Sequence, residues 1–281
     1  MAAVPTVEVD HCRELALLPG SVFEFTSRFI PPSKLDSTLA LYALKQAISS
    51  IPYGHADDSV KWAKLKWWGE ELVGEPDASV RHPVLRALWM TGARARLADA
   101  LLLRLVGDAI SQIDAAPDSD QDAMFQRLAA LGATEIQLEL ALDGAEIDDR
   151  SLDLLAAATS AFRFVSSFSN GHQSQLQRLP LNLLAQHNVS LSQLEQETNS
   201  AALAQIVSQL AGEATGWFEK GMSDLSLKPG SSTCAHLQLR WAMELRRLNV
   251  IRHDANGFLE KGKSFGPGDA LYAWRFLRRL K

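Results

Sequence analysis

Cysteine is scarce in this 281-residue sequence, which contains only Cys12 and Cys234. The two are far apart and neither belongs to a CxxC pair, so a disulfide framework and a thiolate zinc site are both disfavoured. Isolated cysteines of this kind make the cytosol the expected compartment.

Long apolar runs are also missing. No stretch of 18 uncharged apolar residues occurs, so we predict no membrane-spanning helix. The first residues carry acids and no long apolar run, so we expect no secretory signal. We therefore expect a cytoplasmic protein, with peripheral attachment at the inner membrane as the alternative.

Positive charge is sparse except at the C-terminal end. The formal net charge is −5, and only the terminal segment RFLRRLK is strongly basic. Nucleic-acid binding needs a basic face, so we predict no nucleic-acid partner. The terminal segment can touch an anionic membrane, although a solvated helix end with cations near its negative dipole is the simpler interpretation.

Familiar catalytic motifs are absent as well. There is no HExxH pair, and no GxSxG, P-loop or GxGxxG occurs in the strand–turn–helix context that it requires. His82 precedes Pro83 and is interpreted as structural. The acidic pairs Asp57–Asp58 and Asp148–Asp149 stand before helical segments, where a cap and a first-turn residue are expected.

What the sequence does contain is helical periodicity, while alternating β-branched runs are nearly absent. We predict an all-α protein with one domain over residues 21–281 after an N-terminal extension, residues 1–20. A helix over residues 33–50 should end at Pro52 and Gly54. One long helix is predicted from Pro83 to Ile113. Further helices are predicted at about 57–73, 121–142, 149–169, 190–222 and 232–248, with a last one near the C-terminus.

Four segments, taken in order and spacing, resemble the squalene/phytoene synthase family. They are LYALKQ at 41–46, WGEEL at 68–72, RHPV at 81–84 and LPLNLLAQHNVS at 179–190. The likeness extends over roughly residues 20–280. It implies a single-domain, isoprenoid-synthase-like helical bundle around a central cavity, and it implies that Tyr42, Phe164 and Phe168 line that cavity. Ordinary core packing is the simpler interpretation of most aromatic side chains here.

The resemblance also implies two aspartate-rich motifs that hold Mg²⁺ on a prenyl diphosphate, and here the sequence departs from the family. Ser49, Ser50 and Tyr53 stand where the first motif is expected, and Ser167 and Gly171 where the second is expected. No Asp or Glu occurs between residues 153 and 195. Because Mg²⁺ normally needs carboxylate ligands, we predict no catalytic residues, no metal site and no cofactor.

Three functions remain open at this point. The first is a non-enzymatic binding or assembly role, since the sequence also resembles the phytoene-synthase-like assembly factors of respiratory complex I. Its partner would be another protein or a membrane-complex assembly intermediate. The second is an active prenyl transferase with a rearranged site, the only case that would require Mg²⁺. The third is a protein that holds an isoprenoid or other lipid without reacting.

Overall fold

The computed structural model describes residues 7–73, 82–170, 173–196, 201–223, 225, 234–262 and 265–280. Within these ranges the chain is helical and contains no strand, so the predicted all-α class is confirmed. The α-helices are α1 (Val7–Ala16), α2 (Val22–Ser27), α3 (Pro32–Ser49), α4 (Asp58–Leu72), α5 (Pro83–Met90), α6 (Asp99–Ile110), α7 (Gln121–Asp143), α8 (Asp149–Ser167), α9 (Leu181–Gln186), α10 (Leu191–Gln196), α11 (Ala201–Ser223), α12 (Ala235–His253), α13 (Ala255–Lys261) and α14 (Pro267–Arg279). None of the described helices is long and apolar enough to cross a membrane.

The helices form two compact units. Unit 1 comprises Met1–Asp114, Thr134–Glu146 and Ser231–His236. Unit 2 comprises Ala115–Ala133, Ile147–Gly230 and Leu237–Lys281. The helix α7 contributes its first part to unit 2 and its last part to unit 1.

Unit 1 is built around α3, against which α1, α5 and α6 pack. Pro32 suits the first turn of α3, because its missing N–H would have no partner there. The helix then buries an almost continuous apolar segment, Leu39–Leu44, of which only Tyr42 retains measurable exposure. This burial of apolar surface is the main stabilising contribution in unit 1.

Unit 2 is centred on the pairing of α8 with α11. Ala156, Ala157 and Ala158 are fully buried in α8, and Phe218 of α11 is also fully buried. The first part of α7 approaches α8 closely at Gly132, where an added Cβ would lie 2.7 Å from the carbonyl carbon of Ala156. Small residues thus allow two helix backbones to come close in this unit.

The prediction of one helix from Pro83 to Ile113 was wrong. Helix α5 ends at Met90, and α6 begins only at Asp99. Gly92 adopts a φ of +69°, a left-handed conformation that glycine reaches at little cost and that commonly ends helices. Arg94 then secures the connection, since its guanidinium donates to the carbonyl oxygens of Leu72 and Leu97.

The two acidic pairs begin helices, and the predicted capping hydrogen bond forms at Asp148 but not at Asp57. Asp148 caps α8, and its Oδ1 accepts a hydrogen bond from the Ser151 N–H at 2.9 Å. Asp57 occupies the capping position of α4, but its side chain makes no capping hydrogen bond. Asp58 lies in the first turn and pairs with Lys61 at 2.9 Å. Each pair therefore has a local structural role.

Candidate functional site

The predicted first-motif residues lie at the C-terminal end of α3 in unit 1. Ser49 is the last residue of the helix and is half-buried, whereas Ser50 is exposed. The Ser50 hydroxyl donates to the Ala47 carbonyl oxygen at 3.5 Å, within its own helix end. A short 3₁₀ helix, Ile51–Tyr53, follows with Pro52 buried and Tyr53 half-buried. The α-helix thus ends at Ser49, three residues before Pro52.

The predicted second-motif residues belong to unit 2. Ser167 is the last residue of α8, and its hydroxyl donates to the Phe164 carbonyl oxygen at 2.6 Å. Gly171 lies outside the described residues. The Phe164 and Phe168 rings meet edge to face with their centroids 5.1 Å apart, and both side chains are buried. Ser167 is therefore hydrogen-bonded to its own helix, beside a packed aromatic pair.

Tyr42, the remaining candidate for a cavity wall, is buried in unit 1. Its ring stacks on Phe23, with centroids 3.5 Å apart and ring planes 10° from parallel. The Lys45 ammonium lies 4.4 Å from the centroid of the Tyr42 ring, close enough for a cation–π interaction. Tyr42 thus connects the apolar core of unit 1 to a buried cation.

That cation belongs to a buried ionic cluster, Lys45 with Glu135 and Glu139, which sequence reasoning missed. The Lys45 Nζ lies 3.1 Å from Glu135 Oε2 and also pairs with Glu139 Oε1. The exposed fractions of these side chains are 7%, 9% and 1% for Lys45, Glu135 and Glu139. Lys45 comes one helical turn before Ser49, so both lie on the same side of α3.

A second ion pair extends the same contact between α3 and α7. Lys34 Nζ lies 3.0 Å from Asp143 Oδ1, and His236 Nδ1 lies 3.5 Å from Asp143 Oδ2. Glu135, Glu139 and Asp143 are spaced by four residues, so they form one acidic stripe along α7. This regular four-residue spacing of acids along α7 was the signal that could have revealed the cluster.

Unit 2 contains a buried polar cluster of its own. The Thr159 hydroxyl on α8 donates to Glu244 Oε2 on α12 at 3.1 Å. Arg240 Nε lies 3.7 Å from Glu244 Oε1, one turn away on α12. All three residues are buried. A buried charge is costly unless it is paired, and the hydrogen bond from Thr159 to Glu244 joins α8 to α12.

The sequence profile of the squalene/phytoene synthase family matches residues 19–134. Over these residues, less than half of the chain, the protein is similar to the squalene/phytoene synthase family. The match covers α2 to α6, the broken segment between α5 and α6 included, and the first part of α7. Among curated proteins, none matches the sequence.

Three solved structures share the fold over most of the chain. The squalene synthase HpnC from Alicyclobacillus acidocaldarius aligns with a TM-score of 0.66 and 19% identity, covering 88% of this chain and 94% of its own. A dehydrosqualene synthase in complex with ligand gives 0.71 and 14%, covering 97% and 95%. YisP from Bacillus subtilis subsp. subtilis strain 168 gives 0.60 and 13%, covering 98% and 99%. The isoprenoid-synthase fold inferred from the motifs is thereby confirmed.

The donor groups at the candidate positions do not suit the Mg²⁺ that the resemblance to the squalene/phytoene synthase family implies. Mg²⁺ prefers octahedral oxygen ligands that include carboxylates, whereas Ser49, Ser50 and Ser167 offer neutral hydroxyls. Two of these hydroxyls, those of Ser50 and Ser167, donate to carbonyl oxygens of their own helices. In the part of the chain that the structure describes, no group of three or more His, Cys, Asp or Glu side chains is placed to hold a metal ion.

Proposed function

We propose that the protein is a non-catalytic member of the squalene/phytoene synthase family with a binding or assembly role. The observation that carries this proposal is the chemistry at the end of α3. Two neutral serines are followed by a helix-ending proline, where the resemblance implies paired carboxylates.

The nearest buried charges support the same conclusion. Lys45 comes one turn before Ser49, and its ammonium is paired with Glu135 and Glu139. Both carboxylates therefore pair with a lysine side chain of the protein itself. In a metal-dependent synthase, carboxylates near the motif would instead coordinate a bound metal ion.

We therefore expect the protein not to ionise prenyl diphosphates at all, rather than to do so slowly. Ionisation of a prenyl diphosphate places developing negative charge on the leaving group, and metal ions stabilise that charge by several kcal/mol. Hydroxyl groups bear no charge and cannot supply this stabilisation. A binding role is compatible with such a site, because binding does not require transition-state stabilisation.

Turnover measurements test this proposal directly. The purified full-length protein should be incubated with farnesyl or geranylgeranyl diphosphate and Mg²⁺, while pyrophosphate release and hydrocarbon products are recorded. We expect no release above the heat-inactivated sample, whereas an active squalene synthase assayed in parallel gives product. Sustained pyrophosphate release would refute the proposal and establish the prenyl transferase alternative.

The non-catalytic role divides further by what is bound. Complex I assembly factors of the phytoene-synthase-like type bind protein, and by analogy we propose a protein partner or a membrane-complex assembly intermediate for this chain. Native mass spectrometry of freshly purified protein separates this role from lipid storage. We expect the mass of the chain alone, and a stoichiometric isoprenoid adduct would favour the lipid-holding alternative.

A further inference from the structure

The outer face of α14 carries Leu271, Trp274, Arg275 and Arg278, which we call the α14 strip. Their spacing of i, i+3, i+4 and i+7 places them along one side of the helix. Leu271 and Trp274 are each 49% exposed, and both arginines are exposed too. The Arg278 guanidinium lies 4.2 Å from the centroid of the Trp274 ring, so apolar and cationic groups form one continuous surface.

The opposite side of α14 holds the helix in place within unit 2. Ala273 is fully buried, and the Arg246 guanidinium lies 5.0 Å from the centroid of the Tyr272 ring. Asp269 caps the helix at its N-terminus and accepts a hydrogen bond from Arg246 Nε at 2.9 Å. The α14 strip is therefore the outward face of an anchored helix, and its exposure is fixed by packing on the other side.

Charge is distributed unevenly along the chain, and the α14 strip lies in its cationic part. Residues 237–281 contain ten Lys or Arg and four Asp or Glu, a net charge of +6 in a chain whose total is −5. Three of the four acids already have partners within unit 2: Glu244, Asp254 and Asp269. The net charge of +6 already counts these acids, and Arg279 is a further exposed cation on α14 beside those of the strip.

We propose that the α14 strip docks the protein on an anionic lipid bilayer, with Trp274 and Leu271 in the interfacial region and the arginines on the lipid headgroups. This inference is independent of the non-catalytic assignment, because it rests on a surface of α14 and not on the ends of α3 and α8. None of the described helices can cross a membrane, so the proposal names the surface and the side chains through which the protein would contact one.

The chemistry of the α14 strip matches a lipid surface in two respects. Tryptophan prefers the boundary between headgroups and acyl chains, where its ring is apolar and its N–H remains hydrated. Arginine side chains beside it are attracted to anionic headgroups, each by roughly fivefold in partition coefficient. An amphipathic helix that combines both lies in the plane of the interface, with its apolar side chains inserted.

Vesicle co-sedimentation tests the proposal with the full-length protein. We expect it to bind vesicles of phosphatidylcholine mixed with phosphatidylglycerol, to bind pure phosphatidylcholine vesicles far less, and to dissociate from the anionic vesicles at high salt. The double variant Arg275→Gln/Arg278→Gln should lose roughly 25-fold in partition coefficient. Trp274→Ala should also weaken binding, because the interfacial anchor is removed.

Helix α4 provides matched controls. Trp62 is 44% exposed, and Lys64 and Lys66 are exposed cations. Trp62→Ala and Lys64→Gln/Lys66→Gln therefore remove an exposed indole and two exposed cations from another surface, and we expect both to keep wild-type vesicle binding. Circular dichroism of every variant checks that the fold is retained.

Equal binding to neutral and anionic vesicles, or losses in the α4 variants that equal those in the α14 variants, would overturn the proposal. Failure to bind either vesicle would overturn it too and point to a protein as the occupant of the strip.

Discussion

Lys45 Nζ on α3 lies 3.1 Å from Glu135 Oε2 on α7, and both side chains are less than 10% exposed. The same ammonium pairs with Glu139, whose side chain is 1% exposed. One buried cation thus holds two buried carboxylates. Because desolvation of ions is costly, each of the three groups depends on the others for its place in the interior.

Removal of the cation should therefore be strongly destabilising. We expect Lys45→Met to lower the free energy of unfolding by about 3–5 kcal/mol, because two buried carboxylates lose the ammonium that they share. Urea unfolding followed by circular dichroism measures the change. The triple variant Lys45→Met/Glu135→Gln/Glu139→Gln removes all three charges and should recover much of the loss. A single variant with the wild-type midpoint would contradict the buried pairing.

Gly132 should tolerate no side chain, since an added Cβ would lie within 2.7 Å of the Ala156 carbonyl carbon and the Ser160 Oγ. We expect Gly132→Ala to lower the free energy of unfolding by about 1–3 kcal/mol through overpacking. Gly216 in α11 is the matched control, because an added Cβ there meets nothing within 4 Å. Gly216→Ala should stabilise the protein by about 0.5–1 kcal/mol, which is the helix preference of alanine over glycine. Equal effects of the two substitutions would argue against the close approach of α7 to α8.

His82 should make stability depend on pH in the range where histidine titrates. Burial lowers the pKa of His82, and the nearby His11 lowers it further. The ring packs 4.7 Å from Trp68, and its Nδ1 accepts a hydrogen bond from the Val84 N–H at 3.3 Å. A histidine whose pKa is lower in the folded state than in the unfolded state takes up its proton preferentially on unfolding.

The stabilisation from neutral His82 should therefore be complete above about pH 7 and decline as the pH falls through about 6.5. We expect His82→Asn, which keeps an acceptor at the start of α5, to flatten this decline in denaturant midpoints measured from pH 8 to pH 5. An unchanged slope in the His82 variant would assign the pH dependence to another group.

Cys12 should be chemically inert in the folded protein. Burial, followed by the negative charge of Glu8, raises the pKa of the Cys12 thiol to about 12. The thiolate is the reactive form, so very little is present at pH 8. In a Cys234→Ala variant, we expect no rapid reaction with a disulfide reagent until urea is added. Fast modification of the folded variant would contradict the burial of Cys12.

The sequence was informative where periodicity and proline decide the structure. Helix α3 was predicted over residues 33–50 and is observed at Pro32–Ser49, with Pro52 in the following 3₁₀ turn. The separation of α5 from α6 was missed because it depends on the left-handed conformation of Gly92, and glycine also occurs inside helices. The ends of helices are thus predictable when proline marks them, and less so when a single glycine does.

The ionic cluster could not be predicted from the residues alone. A lysine such as Lys45 normally lies at the surface, and burial is exceptional unless the charge is paired. Its partners are 90 and 94 residues away in the sequence, so the pairing exists only once α3 and α7 are packed together. Ser50 and Ser167 were recognised in the sequence, but their hydrogen bonds to their own helices could be seen only in the structure.

The buried Lys45 also limits which side chains positions 49 and 50 of α3 can carry. A carboxylate at position 49 would lie one helical turn from Lys45, whose charge two glutamates already neutralise. It would therefore add unpaired negative charge to that side of α3. A metal-binding end on α3 is therefore expected to need concerted replacement at positions 45, 135 and 139 as well as at 49 and 50. Single substitutions to acids at position 49 or 50 should each give a less stable protein.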